Sequence, residues 1–159
     1  MWSKIKKFIS SSPSKRKLFM EACFYLAWAR ILKSLPFSRV APSLGASMLE
    51  TPYTQDPRNE PALRAISYAV RTMSRHTLWE NTCLVKAIAA VKMLERRGIE
   101  STLYMGTAKD HAGKMIAHAW VRSGSVYITG FEEMEKFTVV GTFGKPLNSK
   151  AGKRGLSKA

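Results

Sequence analysis

An α+β fold, with N-terminal helices followed by a cysteine-bearing helix packed on an antiparallel sheet, is expected from three observations. Apolar residues recur with a helical period before Gly98 and with a period of two after it. The helical runs are grouped rather than interleaved with strands, which disfavours a parallel βαβ sheet. The strand-like segments are joined by short connections, as antiparallel neighbours are. A chain of 159 residues, 45% of them apolar, suits one compact domain.

The elements follow in order. Residues 1–17 read as a basic flexible N-terminus, with "SSSPSKRK" (residues 10–17) as a loop. The run "KLFMEACFYLAWARILKSLPF" reads as a helix ending near Leu35, because Pro36 disfavours helical geometry at the residue before it. Glu21 and Arg30 leave only eight uncharged residues between them, whereas a membrane span needs about 20 apolar residues. The expected role is a helix buried on most sides, with Cys23 in the core and Phe24, Tyr25 and Trp28 as packing. Docking of this helix on a membrane surface is the less favoured alternative.

Residues 41–61 hold four prolines and read as an extended connection, so residues 18–60 form a helix plus a Pro-rich link. Pro61 suits the first turn of a second helix over residues 62–75, with Leu63, Ile66, Ala69, Val70 and Met73 on one stripe. The third helix lies within "ENTCLVKAIAAVKMLERRG" (residues 80–98), where Leu84, Ala87, Ile88, Val91 and Leu94 form the apolar face. Asn81 or Thr82 fits its N-cap, Arg96 and Arg97 suit the negative C-terminal end, and Gly98 fits the position after it.

Beyond Gly98, "STLYMGTA" reads as a strand and "AKDHAGK" as a polar loop. "MIAHAWVR" and "SVYITG" read as a hairpin turning at Ser123-Gly124, and "KFTVVGTF" as a last strand. The core thus spans residues 61–143, and residues 144–159 read as a second basic, flexible tail.

The formal charge of +15 is concentrated at the ends. Residues 1–17 carry six Lys/Arg and residues 145–159 carry five, with no acid in either, while the middle has fifteen basic against eleven acidic residues. Such ends read as solvated tails or as attraction to an acidic partner. A nucleic-acid interface would need basic residues along a groove-reading element, and none is seen. Two cysteines sixty positions apart make no disulfide framework and suit a reducing cytoplasm. No export signal pattern is found in residues 1–20. There is no Cys pair or short His/Cys spacing for a metal, and no cofactor is expected.

Cys83 falls at a helix start, where unpaired N–H groups and the helix dipole favour a thiolate and an acyl-transfer oxyanion. A histidine must take the thiol proton and return it to the leaving amine. His76 ends the second helix and His111 lies in the polar loop, whereas His118 is held mid-strand on the face of Ile116 and Trp120. His118 is therefore the expected base. For a two-residue turn at Ser123-Gly124, Val121 faces Val126 and His118 faces Thr129. No acid stands there to orient the imidazole. The alternatives are a dyad with a hydroxyl or backbone orienter, or Glu132 folding back as the third catalytic member. Its neighbour Glu133 and loop residue Asp110 are the other nearby carboxylates.

Cys at a helix start followed by a His-bearing hairpin is the order of papain- and transglutaminase-like cysteine enzymes. "CLVKAIAAVKMLERRGIESTLYMG", "AHAWVRSGSVYITG" and the N-terminal "EACFYLAWARILKSLPFSRVAPSLG" resemble the stand-alone leader peptidases of lasso-peptide biosynthesis, within the transglutaminase-like cysteine protease superfamily. The resemblance runs from about residue 17 to residue 143. It implies a bacterial, cytoplasmic cysteine peptidase that cleaves a ribosomally made precursor peptide at its leader–core junction. Cys83 would be the nucleophile and His118 the base. It also implies a separate winged-helix leader-binding protein and an ATP-dependent lasso cyclase as partners. Three other readings stand beside it: a transglutaminase-like acyl transferase or amidase, a non-catalytic peptide-binding module of a processing complex, and a membrane-surface protein using "WSKIKKFI" (residues 2–9) and the helix over residues 18–35.

Overall fold

The computed structural model describes residues 12–77 and 82–146. Helix α1, Pro13–Lys33, places proline in its first turn, where a missing N–H leaves no bond unmade. Residues 14–17, expected as loop, therefore lie inside the helix; Ser10 and Ser11 fall outside the described residues.

α1 is not buried on most sides. Ala22, Leu26 and Ala29 face the core, while Phe24 and Trp28 point to solvent and Cys23 is only half-buried. The expectation of a mostly buried helix failed because apolar residues occupy both faces of α1, and the domain offers a partner for only one.

A short helix α2, Phe37–Leu44, occupies the start of the stretch expected to be extended. Val40 and Leu44, one turn apart, are buried, and the Phe37 ring meets Phe143 edge-on at 5.5 Å. This packing outweighs the helix-breaking tendency of Pro42. After the two-residue strand β1, Ala46–Ser47, and a 3₁₀ turn, Pro57–Asn59, helix α3 covers Glu60–Ser74. Its stripe of Leu63, Ile66, Ala69 and Val70 is buried as expected.

Helix α4, Cys83–Arg96, is the centre of the molecule. Val85, Ala89, Ala90 and Met93 are buried alongside the expected Ala87, Ile88, Val91 and Leu94. The reason is its position: α1 and α3 cover one side, and the sheet covers the other. Gly98 adopts φ 65 after the last turn, the left-handed conformation that a glycine stop permits.

Strands β2 (Ser101–Lys109), β3 (Met115–Ser123), β4 (Val126–Thr129) and β5 (Thr138–Lys145) join β1 in a five-stranded antiparallel sheet ordered β1-β5-β2-β3-β4. Leu103, Val121, Ile128 and Phe143 join one core with α1–α4, so the segments 18–60 and 61–143 share their interior. A second 3₁₀ turn, Phe131–Lys136, links β4 to β5.

The β3–β4 turn differs from expectation by one residue. Ser123 pairs with Val126, leaving Gly124 and Ser125 as the turn, and a register shift between Val121 and Arg122 places Thr129 opposite Val121. His118 therefore does not face Thr129; it lies past the paired end of β4, opposite Gly106 of β2. A bulge adds one residue to one strand, and the hydrophobic alternation does not reveal it.

The most buried charge is Arg122, fully inaccessible. Its guanidinium donates to the Thr51 carbonyl at 2.9 Å, Gly124 at 2.7 Å, Pro52 at 3.2 Å and the Tyr104 hydroxyl at 3.0 Å. The Tyr53 ring lies 3.7 Å from the guanidinium carbon. Burial pushes the Tyr104 hydroxyl well above its ordinary pKa, so it stays protonated and donates to Glu50 at 2.8 Å. These bonds fasten the segment around residues 50–53 to the sheet.

Candidate active site

Cys83 is the first residue of α4. The first bond within the helix runs from Lys86 N–H to the Thr82 carbonyl, 3.1 Å, so the N–H groups of Cys83, Leu84 and Val85 have no acceptor inside the helix. Thr82 occupies the N-cap, yet its hydroxyl makes no cap bond and is buried without a partner among the described residues. Asn81, the other expected cap, lies outside the described residues. No acid sits in the first turn to compete for the helix dipole. The thiol is half-buried against the core, whereas Cys23 is on α1 and lines no part of this site.

Cys83 and His118 line one cleft of about 400 Å³. They arrive there by different routes. α4 carries the thiol at its N-terminus; β3 carries the imidazole just beyond the end of β4. The His118 ring stacks with two aromatic rings, its centroid 4.9 Å from Phe137 and 5.9 Å from Trp120 at interplanar angles of 27° and 26°. The expected apolar setting is thus made by Trp120 and Phe137 rather than by Ile116, which is exposed. His76 and His111 are exposed and line no part of the cleft.

The ring's hydrogen-bond partner is the Gly130 carbonyl, 2.7 Å from Nε2. A carbonyl only accepts, so Nε2 carries the proton and Nδ1 is left as the basic nitrogen. Gly130 reaches this place through a left-handed turn, φ 74 and ψ 13, that ends β4 and opens the 3₁₀ turn. A Cβ on Gly130 would lie 2.5 Å from the Ala119 carbonyl oxygen, so the close approach and the backbone conformation both require glycine. Thiol and imidazole share the cleft without a hydrogen bond between them; such pairs commonly tighten only when substrate closes the site.

Glu132 and Glu133 line the same cleft and are exposed, and neither is hydrogen-bonded to the ring. Asp110 instead closes its own loop, accepting from the N–H groups of Ala112 and Lys114 at 2.9 Å each. Arg71 of α3, Arg75 just past its end and Lys86 of α4 also line the cleft, none in an ion pair among the described residues. The cleft thus takes cations from the helices and carboxylates from the second 3₁₀ turn, where Glu133 pairs with Lys136 at 3.6 Å. Ser67 donates to the Ile128 carbonyl at 2.7 Å and holds the α3 wall against β4. Thr129, also lining the cleft, has a buried hydroxyl with no partner among the described residues.

Four contributors were not singled out from sequence: Gly130, Phe137, and the Arg71–Arg75 pair. Gly130 had a visible signal, a glycine closing the strand "SVYITG". Phe137 and the arginines come from elements distant in sequence and are assembled only by the fold.

The arrangement places a thiol, an imidazole of fixed tautomer and the first N–H groups of α4 around one cleft of about 400 Å³. A family model described as the transglutaminase-like superfamily matches residues 22–142. No curated protein and no solved structure matches the chain.

Proposed function

The chain belongs to the transglutaminase-like superfamily, and on that premise we propose that it is a cysteine peptidase that removes the leader from a ribosomally made lasso-peptide precursor. The observation that carries this reading is the shared cleft of Cys83 and His118, with Nε2 tied to Gly130 and Nδ1 available. The motifs "TCLVKA" and "AHAWV" give the family resemblance its finer resolution.

In this reading Nδ1 of His118 takes the thiol proton, and Cys83 Sγ attacks the scissile carbonyl carbon. The N–H groups at the start of α4 stabilise the oxyanion. The imidazolium returns its proton to the leaving amine, which departs as the new α-amine of the core peptide. Water then attacks the thioester; its proton passes through His118 to the sulfur, and the leader leaves as a carboxylic acid. Gly130 orients the imidazole, and Glu132 lines the cleft as an exposed carboxylate not bonded to the ring. The cations Arg71, Arg75 and Lys86 suit a peptide with a carboxylate near the cleavage point. A separate winged-helix protein presents the leader, and an ATP-dependent cyclase consumes the freed amine.

The test incubates the protein with the precursor peptide and leader-binding protein of the neighbouring genes, read by mass spectrometry. Two fragments whose masses total the precursor plus one water are expected, and Cys83→Ala should yield neither. Cleavage that survives Cys83→Ala refutes the nucleophile. A product joined to an added amine identifies an acyl transferase instead, and a bound but intact precursor identifies a binding module.

A further inference from the structure

The outer face of α1 is apolar along its length. Met20, Phe24, Trp28 and Ile31, spaced at helical intervals, are 57%, 63%, 45% and 60% exposed. Tyr68 of α3 stands beside them, its ring 6.0 Å from Phe19. Isolated exposed apolar residues are ordinary, but four large ones on a single helix face form a patch. The inner face of the same helix is already satisfied by Ala22, Leu26 and Ala29 in the core. Covering the outer face therefore requires no rearrangement of the fold.

Charge indicates what covers it. Lys15, Arg16 and Lys17 lie at one end of α1, and Arg30 and Lys33 at the other. The one acid of the helix, Glu21, is turned inward onto Arg97, with oxygens 2.8 and 2.7 Å from its nitrogens. The outer surface of α1 thus presents apolar side chains bracketed by cations, with no carboxylate among them. The sequence leading into this helix repeats the same chemistry: Trp2, Ile5, Phe8 and Ile9 alternate with Lys4, Lys6 and Lys7. A second copy of the chain seated on this face would bring like charges together. An anionic lipid surface meets the apolar stripe with acyl chains and the bracket with headgroup charge.

We propose that the outer face of α1 docks on an anionic lipid surface, with the helix lying in the plane of the interface. No described helix is long and apolar enough to cross a membrane, so this is surface attachment. It does not depend on the peptidase reading, and the cleft at the start of α4 is not part of the docking face.

The test is co-sedimentation of the full chain with vesicles of phosphatidylcholine alone and of phosphatidylcholine mixed with phosphatidylglycerol. Binding is expected only to the mixed vesicles, falling as salt is raised. Neutralising three cations with Lys15→Gln, Arg16→Gln and Lys17→Gln should weaken partition by roughly 100-fold. Phe24→Ser with Ile31→Ser should weaken it by at least about tenfold. Both variants should keep the wild-type circular dichroism, since none of the five positions belongs to the buried core. Absence of binding to mixed vesicles, or binding that Phe24→Ser with Ile31→Ser leaves intact, overturns the proposal. A dimer in vesicle-free solution that the same pair dissolves would identify a second copy as the occupant, and also overturns it.

Discussion

Nε2 of His118 donates to the carbonyl oxygen of Gly130 at 2.7 Å, and a main-chain group thereby takes the place where a carboxylate would orient the imidazole. A carbonyl fixes the tautomer as firmly as a carboxylate but carries no net charge, so it stabilises the imidazolium less. In the proposed reading the site works as a thiol–imidazole dyad with a backbone orienter, one of the alternatives open from sequence.

Gly130→Ala separates this arrangement from one built on Glu132. The new Cβ would meet the Ala119 oxygen at 2.5 Å and the Trp120 Cβ at 3.0 Å, in a backbone conformation of φ 74. A stability loss of about 1–3 kcal/mol is expected. Turnover per folded molecule should fall about 10–100-fold as the carbonyl moves off the ring. Glu132→Gln should cost less than about threefold in kcat, because the exposed carboxylate does not touch the imidazole. A loss near 1000-fold on Glu132→Gln would instead make Glu132 the third catalytic member.

Thr129→Val should divide stability from activity. The Thr129 hydroxyl is buried at the cleft with no partner among the described residues. Removing an unpaired buried hydroxyl leaves stability unchanged or raises it by up to about 1 kcal/mol. If substrate supplies the missing partner, kcat/KM falls about tenfold. Thermal unfolding and peptide turnover measured on the same preparation decide it. A drop in stability would place the hydroxyl's partner inside the folded chain.

Arg122→Leu should be the most damaging of these substitutions to folding. It leaves the carbonyls of Thr51, Pro52 and Gly124 and the Tyr104 hydroxyl without their buried donor. A loss of about 3 kcal/mol is expected in urea unfolding. Glu50→Gln removes the charge from the 3.5 Å contact with Arg122 but keeps a side-chain oxygen to accept from the Tyr104 hydroxyl, so it should cost less than about 1 kcal/mol. Equal losses from the two would show that the ion pair, not the carbonyl cage, holds the segment.

Local pattern revealed the elements and long-range assembly did not. The 3.6 period of α3 and α4, and the glycine at the end of α4, identified those helices because one face or terminus of each obeys a local rule. Cys83 and His118 could be singled out for the same reason, as a helix start and a mid-strand position. The register shift after Val121 was invisible because a bulge changes pairing without changing alternation. That single shift removed Thr129 from opposite His118. The exposure of Phe24 and Trp28 was hidden because a helix apolar on both faces carries no mark of which one the domain covers.

Glu95 ties three elements together and gives the fold an acid-sensitive clamp. Its carboxylate pairs with Lys145 of β5 and with Lys92 of its own helix, 3.2 Å away. Both ammonium groups also reach the Ser43 carbonyl of α2, at 3.0 and 2.8 Å. Burial pushes the Glu95 carboxyl up, but the hydrogen bonds from Lys145 and Lys92 outweigh it and leave the group below its ordinary value. With the folded pKa lowered, the unfolded chain takes up the proton first as pH falls. The stabilisation is therefore complete above the ordinary carboxylate pKa of about 4.3 and is lost as pH drops through the folded value. The carboxylate is 41% exposed and screened by solvent, so the contribution should be less than about 1 kcal/mol. Glu95→Gln should lower stability at neutral pH by that small amount and converge with wild type in the acid limb. Urea unfolding of both proteins from pH 7 down to about pH 3 tests this. A difference that stays constant across the series would mean that the side chain acts through packing rather than charge.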